Sequence, residues 1–337
     1  MGEQKVLVTG GAGYIGSHVV KQLGEQDCDV IIYDNLSTGS AKALLHGQLI
    51  RGDLSDTEKL AQVFAQHKFD AVLHFAANLS VPESVADPLQ YYSNNTANTL
   101  NLLFCCREFQ VNKLIFSSTA AVYGEVKKSL VDESHPTNPV NPYGKSKLMS
   151  ETMIRDYARV SDLRYVILRY FNVAGADVSG KIGQSSKKAA HLIKVACDAA
   201  LGLRDSASIF GTDYNTPDGT GVRDYIHVED LASAHLDALQ YLHDSESTSQ
   251  VLNCGYSQGY SVREVLSTVQ KISGINFKIR EAPRRTGDPP SVVANSDRIK
   301  QILGWQPKYN NLDLIVRSAF DWEKRKLVNY RSTQKAG

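Results

Sequence analysis

Lys5-Val6-Leu7-Val8-Thr9 runs directly into Gly10-Gly11-Ala12-Gly13-Tyr14-Ile15-Gly16. A short, mostly apolar run of this kind reads as a parallel strand buried on both faces. Beyond the glycines, Ile15, Val19, Val20 and Leu23 recur at helical spacing, so the loop opens a helix whose first amides can face a pyrophosphate. Gly10, Gly13 and Gly16 permit, in this or a nearby division, a tight turn, close backbone approach to a ligand, and close packing of helix on sheet. Strand, glycine turn and helix together predict a dinucleotide-binding unit at the start of a doubly wound sheet.

Downstream segments extend the same pattern. Val30-Ile31-Ile32-Tyr33 is a second strand ending in Asp34, about 20 residues past the loop, where a carboxylate accepts both ribose hydroxyls and repels a 2′-phosphate. That reading predicts NAD rather than NADP; the alternative for Asp34 is a cap or turn aspartate before Asn35. Leu49-Ile50-Arg51-Gly52-Asp53-Leu54 reads as a third strand with Asp53 placed for an adenine amino group. Phe69 to Ala77 reads as a fourth strand whose small end residues let a dinucleotide lie against the backbone. His74 within it is read as a buried histidine satisfied by a neighbour. A helix over Asn94 to Arg107 precedes a fifth strand, Leu114 to Ser118, and Tyr165 to Phe171 forms a sixth. Alternating strands and helices imply an α/β, doubly wound parallel Rossmann sheet with its ligand beyond the strands' carboxyl ends.

Tyr143-Gly144-Lys145-Ser146-Lys147 follows the fifth strand and puts a phenol and an ammonium four residues apart on one helix face. A fixed positive charge favours the phenolate, which makes Tyr143 a candidate general base. Taken alone, the same spacing describes a solvated helix face. Ser117, Ser118 and Thr119 arrive at the strand end where they can reach a substrate hydroxyl, or else cap the strand.

Composition restricts the partners. The chain has 337 residues, 42% hydrophobic and 22% charged, and a net charge of +1 from 37 basic and 36 acidic side chains. There is no global field to draw nucleic acid or an anionic membrane, so an anionic ligand must be met locally. Cys28, Cys105, Cys106, Cys197 and Cys254 are odd in number and scattered, which argues against a disulfide framework and against a metal site. With no signal-like or membrane-length run, a reducing, cytoplasmic setting is expected.

We divide the chain into an NAD-binding domain, 1–171, and a smaller α+β substrate lobe, mainly 172–337, some of whose segments return to the first domain. In the second half, Ile209-Phe210-Gly211, Gly219 to Asp230 and Arg284-Arg285-Thr286-Gly287-Asp288 combine aromatic, arginine and aspartate side chains. Arginine forks suit diphosphates, and surface solvation is the alternative for a double arginine. The polar tail after Asn329 reads as frayed.

Thr9 to Gly16, Asp34-Asn35, Phe116 to Gly124, Tyr143 to Lys147, Tyr170-Phe171-Asn172 and Gly219 to Asp230 resemble the extended short-chain dehydrogenase/reductases, and among them most nearly the UDP-glucose 4-epimerases. The resemblance implies a homodimer with tightly held NAD. It implies interconversion of UDP-glucose and UDP-galactose by oxidation at sugar C4, rotation of the 4-keto intermediate and hydride return; the small Val292 resembles the epimerases that also admit UDP-N-acetylhexosamines, the alternative being that Val292-Val293 is merely an apolar strand. By similarity, Tyr143 takes the O4 proton, Lys147 lowers its pKa and holds the nicotinamide ribose, and Thr119 bonds O4. Cofactor contacts fall on Gly10, Gly13, Tyr14, Ile15, Gly16, Asp34, Asn35, Asp53, Leu54, Phe75, Ala76, Ala77, Asn94, Ser117, Tyr143, Lys147 and Tyr170. Substrate contacts fall on Thr119, Asn172, His191, Leu192, Phe210, Arg223, Tyr225, Arg285, Asp288 and Val292. Leu79 stands where a lysine often meets the pyrophosphate, and His191-Leu192 replaces the commoner Asn-Leu. The competing reading is a nucleotide-sugar 4,6-dehydratase or reductase. A dehydratase carries an Asp-Glu pair after the Ser/Thr, whereas this chain has Ala120-Ala121.

Overall fold

The computed structural model describes residues 4–126, 130–186, 191–285 and 288–335, with side chains through 328. Its first half alternates strands and helices: β1 Lys5–Thr9, α1 Tyr14–Gly24, β2 Asp29–Asp34, β3 Gln48–Arg51, α2 Thr57–Gln66, β4 Ala71–His74, α3 Val81–Ala86, α4 Pro88–Tyr91, α5 Asn98–Glu108, β5 Lys113–Thr119, α6 Pro142–Ala158 and β6 Arg164–Tyr170. The second half continues with β7 Asn172–Ala174, α7 Leu192–Ala200, β8 Ala207–Phe210, β9 Val222–His227, α8 Val228–His243, β10 Gln250–Cys254 and β11 Gly259–Ser261. It ends with α9 Val262–Ser273, β12 Ile279–Ala282, β13 Ser291–Val292, α10 Asp297–Leu303 and α11 Leu312–Lys335.

The main sheet is parallel throughout, in the order β10-β6-β5-β4-β1-β2-β3. Period-2 alternation explains why its strands read as unbroken apolar runs. Val6, Val8, Val30, Ile32, Leu73, Ile115 and Leu168 pack into one core with α1, α7 and α8, while Leu7, Ile31, Val72, Phe116 and Ile167 pack into another with α2 and α5. The direction of strand order reverses between β1 and β4, and such a reversal opens a crevice at the strands' carboxyl ends.

Three features differ from the sequence reading. The alternation does not stop at β6, because Gln250 to Cys254 adds a seventh parallel strand beside it and α8 packs on α1. The helix expected over Asn94 to Arg107 begins as a π-helical segment, Tyr92–Ala97, before α5. There Asn95 bonds the backbone of Asn78 and the Ser146 hydroxyl, which fastens the segment to α6. The tail after Asn329 continues α11 to Lys335 rather than fraying.

The smaller layer is built around β9. It pairs with β11 antiparallel and with β7 and β13 parallel, and β8 pairs separately with β12. Asp224, in the middle of β9, is fully buried and accepts backbone N–H bonds from Tyr256, Ser257 and Ala294, which ties β9 to the chain around it. Burial pushes its carboxyl up to about 6 despite those bonds.

Candidate active site

The crevice between β1 and β4 fits a dinucleotide. Gly10 has φ +70°, and a Cβ there would stand 2.5 Å from the Ala76 amide nitrogen, so only glycine lets the two loops close on each other. A Cβ on Gly16 would meet the Gly10 carbonyl oxygen at 2.4 Å, so its absence lets α1 sit against the turn. Gly13 is the N-cap of α1 and supplies no side-chain cap, and the first turn, with Tyr14 and Ile15, holds no acidic residue. The amides and dipole of α1 are therefore available to a phosphate.

Phe75, Ala76 and Ala77 line the opposite lip directly after β4, with the Phe75 amide bonded to the Thr9 carbonyl at 2.9 Å. Asp34 ends β2 as expected, and both its oxygens accept backbone bonds, from Ala12 at 2.9 Å and Leu36 at 2.8 Å. It is a turn aspartate and a crevice carboxylate at once. Asn35 donates to Asp53 at 2.6 Å, which places both on the β2 side of the crevice. Leu54 is buried in the turn after β3, its carbonyl held by Asn101. The Tyr14 hydroxyl donates to the Gly175 carbonyl at 2.6 Å, so this side chain spans from the glycine turn to the segment after β7. Asn94 lies on the π-helical segment and donates to Asn95 at 3.0 Å. Leu79 is 54% exposed.

Tyr143 and Lys147 lie in the first turns of α6, which Asn141 caps by accepting the Gly144 N–H at 2.9 Å. Both side chains are buried. Lys147 Nζ donates to the Ser117 carbonyl at 2.7 Å and rests 4.8 Å over the Phe116 ring. The Thr119 side chain faces the Tyr143 phenol closely enough to favour its ionised form. The Ser117 hydroxyl bonds the Tyr170 hydroxyl, which brings the ends of β5 and β6 together.

Burial moves this pair in opposite directions. It lifts the Tyr143 phenol to about 12, with the Thr119 side chain pulling the other way, and drops the Lys147 ammonium to about 7, with Glu151 pulling it up. The expectation that the lysine by itself brings the phenol toward neutrality is thus not met by the protein alone. His74 is a satisfied buried histidine, its ring between the Thr9 and Thr99 hydroxyls at 2.7 and 3.0 Å, and burial holds its pKa down at about 3.

Several of the candidate substrate residues lie on or beside β9. Asn172 is registered with Tyr225, and these two line one pocket with His191 and Leu192 at the start of α7. Tyr14, Gln184, Lys194 and Trp322 also line that pocket, and of these four only Tyr14 is singled out by the sequence. Arg223 pairs with Asp288 at 2.6 Å and is registered with Val292. Arg285 lies 3.8 Å over the Phe210 ring, whereas Arg284 turns to Asp213 and Tyr214. Thr286 and Gly287 lie outside the described residues. Val292 is half-buried against a small cluster that includes Ala120, Val122, Phe171 and Ala294.

The sequence reading also passed over a buried charge network behind Ser118. Glu151 accepts from the Ser118 hydroxyl at 2.6 Å and from the Arg169 fork at 2.9 and 2.6 Å. Two signals point to it in the sequence. Glu151 repeats the four-residue step from Tyr143 through Lys147, and Arg169 is a charge inside the otherwise apolar run Val166-Ile167-Leu168.

Residues 6–255 match the NAD dependent epimerase/dehydratase family. A UDP-glucose 4-epimerase of Azospirillum brasilense is 53% identical over 95% of this chain and 92% of its own length. The crystal structure of UDP-glucose 4-epimerase from Brucella ovis in complex with NAD aligns with TM-score 0.92 at 42% identity, covering 94% of this chain and 98% of that one. The UDP-Glc/GlcNAc 4-epimerase from Campylobacter jejuni aligns with TM-score 0.85 at 49% identity over 96% and 99% of the two chains. With a glycine turn at the strand reversal, a buried tyrosine–lysine pair on the helix after β5, and near full-length likeness to these proteins, the chain belongs to the NAD dependent epimerase/dehydratase family, among its UDP-glucose 4-epimerases.

Proposed function

We propose that the protein interconverts UDP-glucose and UDP-galactose by NAD-dependent oxidation at sugar C4, rotation of the 4-keto intermediate and hydride return to the opposite face. The observation that carries this reading is the buried Tyr143–Thr119 pair beside Lys147, at the carboxyl end of β5. NAD, when bound, supplies the hydride acceptor and donor and, in its oxidised form, a positive charge on its ring. The turn after β1, with Gly10, Gly13 and Gly16, Asp34 and the Phe75 to Ala77 lip would hold it. Tyr143 takes the O4 proton, Thr119 orients O4, and Lys147 supplies a cation on the same helix face. Asn172, His191, Leu192, Phe210, Arg223, Tyr225, Arg285 and Asp288 grip the UDP, the guanidinium forks answering the diphosphate.

Purified protein given UDP-galactose should release UDP-glucose with no net accumulation of NADH. Net reduction of added NAD would assign a dehydrogenase instead, and a 4-keto-6-deoxy sugar a dehydratase. Ala120 and Ala121 carry no proton-transfer group for the latter.

Val292 sets the proposed substrate breadth. It lies on the short strand after Asp288, registered with Arg223, and packs half-buried against the same small cluster as Ala120, the residue after Thr119. A side chain of this size leaves room for an acetamido group, so UDP-N-acetylglucosamine is a second substrate. Val292→Tyr should lower turnover of the acetylated sugar about 5- to 150-fold more than that of UDP-glucose, as overpacking of about 1 to 3 kcal/mol implies. Equal losses on both substrates, or no wild-type activity on the acetylated one, count against the pocket.

The working unit we propose is a homodimer in the cytoplasm. Leu100 and Phe104 on α5 and Met149 on the neighbouring α6 are large apolar side chains at the surface, as a paired helix face would supply. All five cysteines are free and buried, which suits a reducing compartment. A solution mass of one chain would refute the dimer.

A further inference from the structure

We propose that Glu151 is a positioning residue for the reaction, the buried counter-charge that keeps Lys147 an ammonium and holds it against the Ser117 carbonyl. The proposal rests on the reading of Lys147 as the working cation. Tyr143, Lys147 and Glu151 are spaced by four, so they rise along one face of the helix. Glu151 has no exposed surface, and each of its oxygens is occupied. Oε1 accepts from Ser118 Oγ at 2.6 Å and Arg169 Nε at 2.9 Å, while Oε2 accepts from Arg169 Nη2 at 2.6 Å and from Arg155.

A carboxylate held this way cannot swing toward substrate, so it is not a catalytic residue. It does fix the step between β5 and α6. Ser118 is the residue after Ser117, whose carbonyl receives the Lys147 ammonium, and the residue before Thr119.

The charges around Lys147 leave Glu151 a specific part. From β4 the neighbouring His74 is held neutral by burial. From β5 come the Ser117 carbonyl and the Phe116 ring, and from its own helix the un-ionised Tyr143. From β6 come Tyr170, also un-ionised and bonded to the Ser117 hydroxyl, and the Arg169 cation, which is ion-paired to Glu151. Among the described residues, no carboxylate is ion-paired to Lys147, and Glu151, one turn further along the same helix face, is the one whose charge pulls its pKa up. Without it, Lys147 and Arg169 would be two buried cations with no buried anion beside them, and the lysine is the one that can shed its proton.

The test follows turnover of UDP-galactose by holoenzyme across pH. In Glu151→Gln the alkaline limb should move down by about one unit, so that turnover above it falls about tenfold and recovers as pH is lowered, with KM little changed. Glu151→Asp, which keeps the charge, should restore the limb. Arg169→Met, which leaves the Glu151 charge less neutralised and retains Arg155, should move it upward. A loss that is uniform in pH in Glu151→Gln, or a shift of the same sign in Arg169→Met, overturns the proposal.

A second readout needs no catalysis. Burial lowers the folded-state pKa of Lys147 to about 7, below its unfolded value of about 10.4. The unfolded chain therefore binds more protons between those values, and the stability of NAD-free protein rises with pH through that window. In Glu151→Gln the rise should begin about one unit lower. An onset unchanged from wild type overturns the coupling itself, whereas the shifted onset in a protein without epimerase activity would uphold the coupling and reject the role of Lys147.

Discussion

Tyr143→Phe should give a folded protein that retains NAD and turns over UDP-galactose about a thousandfold more slowly, within the range for a lost general base. The substitution removes one oxygen from a buried ring and leaves the ring's edge contact with Tyr91, centroids 6.4 Å apart, in place. Thr119 loses its phenol partner but keeps the Ala121 N–H, which its Oγ1 accepts at 3.1 Å, so it is not left as an orphaned buried hydroxyl. The stability cost should therefore be near that of one ordinary hydrogen bond, about 1 kcal/mol. Bound NAD and the unfolding midpoint report the fold, and turnover reports the hydroxyl. Turnover within a few-fold of wild type would reject Tyr143 as the base.

The first half of the chain was legible because each signal there has a local cause. Val6, Leu7 and Val8 are apolar in succession since alternate residues enter cores on opposite faces of the sheet, and the glycine turn must follow where β1 meets the Ala76 backbone. Asp34 falls at the end of β2 for the same reason of register. The seventh strand was not legible. Gln250 to Cys254 sits between α8 and β11 with no repeating pattern around it, and only the tertiary pairing with β6 reveals its place.

The site was legible as residue types and not as states. Spacing put Tyr143 and Lys147 on one face, but burial decides their protonation, and burial is a property of packing that four-residue spacing does not contain. In the second half, residue types marked Phe210, Arg223, Arg285 and Asp288 as candidates, while the individual substrate roles came from resemblance. What brings them together is the pairing of β9 with β7 and β13, which joins Asn172, Arg223, Tyr225 and Val292 across more than a hundred residues of sequence.

Lys147→Ala carries the second large effect, and its signature should differ from that of the tyrosine variant. Lys147 is 2% exposed, and its ammonium is bonded to the Ser117 carbonyl at 2.7 Å. Removing it leaves that carbonyl without its side-chain donor and Glu151 facing one cation fewer. The phenol, already lifted to about 12 by burial, then loses a cation on its own helix face. Turnover should fall by a factor of about 10² to 10³, with the acidic limb of the pH profile moved upward, because the phenolate is harder to form. NAD retention should fall as well, since Lys147 is proposed to hold the nicotinamide ribose, whereas Tyr143→Phe leaves that contact intact. Lys147→Met separates charge from volume: it refills most of the space, so activity as low as in the alanine variant assigns the effect to the ammonium. An acidic limb unchanged in both variants would break the pairing of Lys147 with Tyr143, and full NAD retention in both would remove the lysine from the cofactor site.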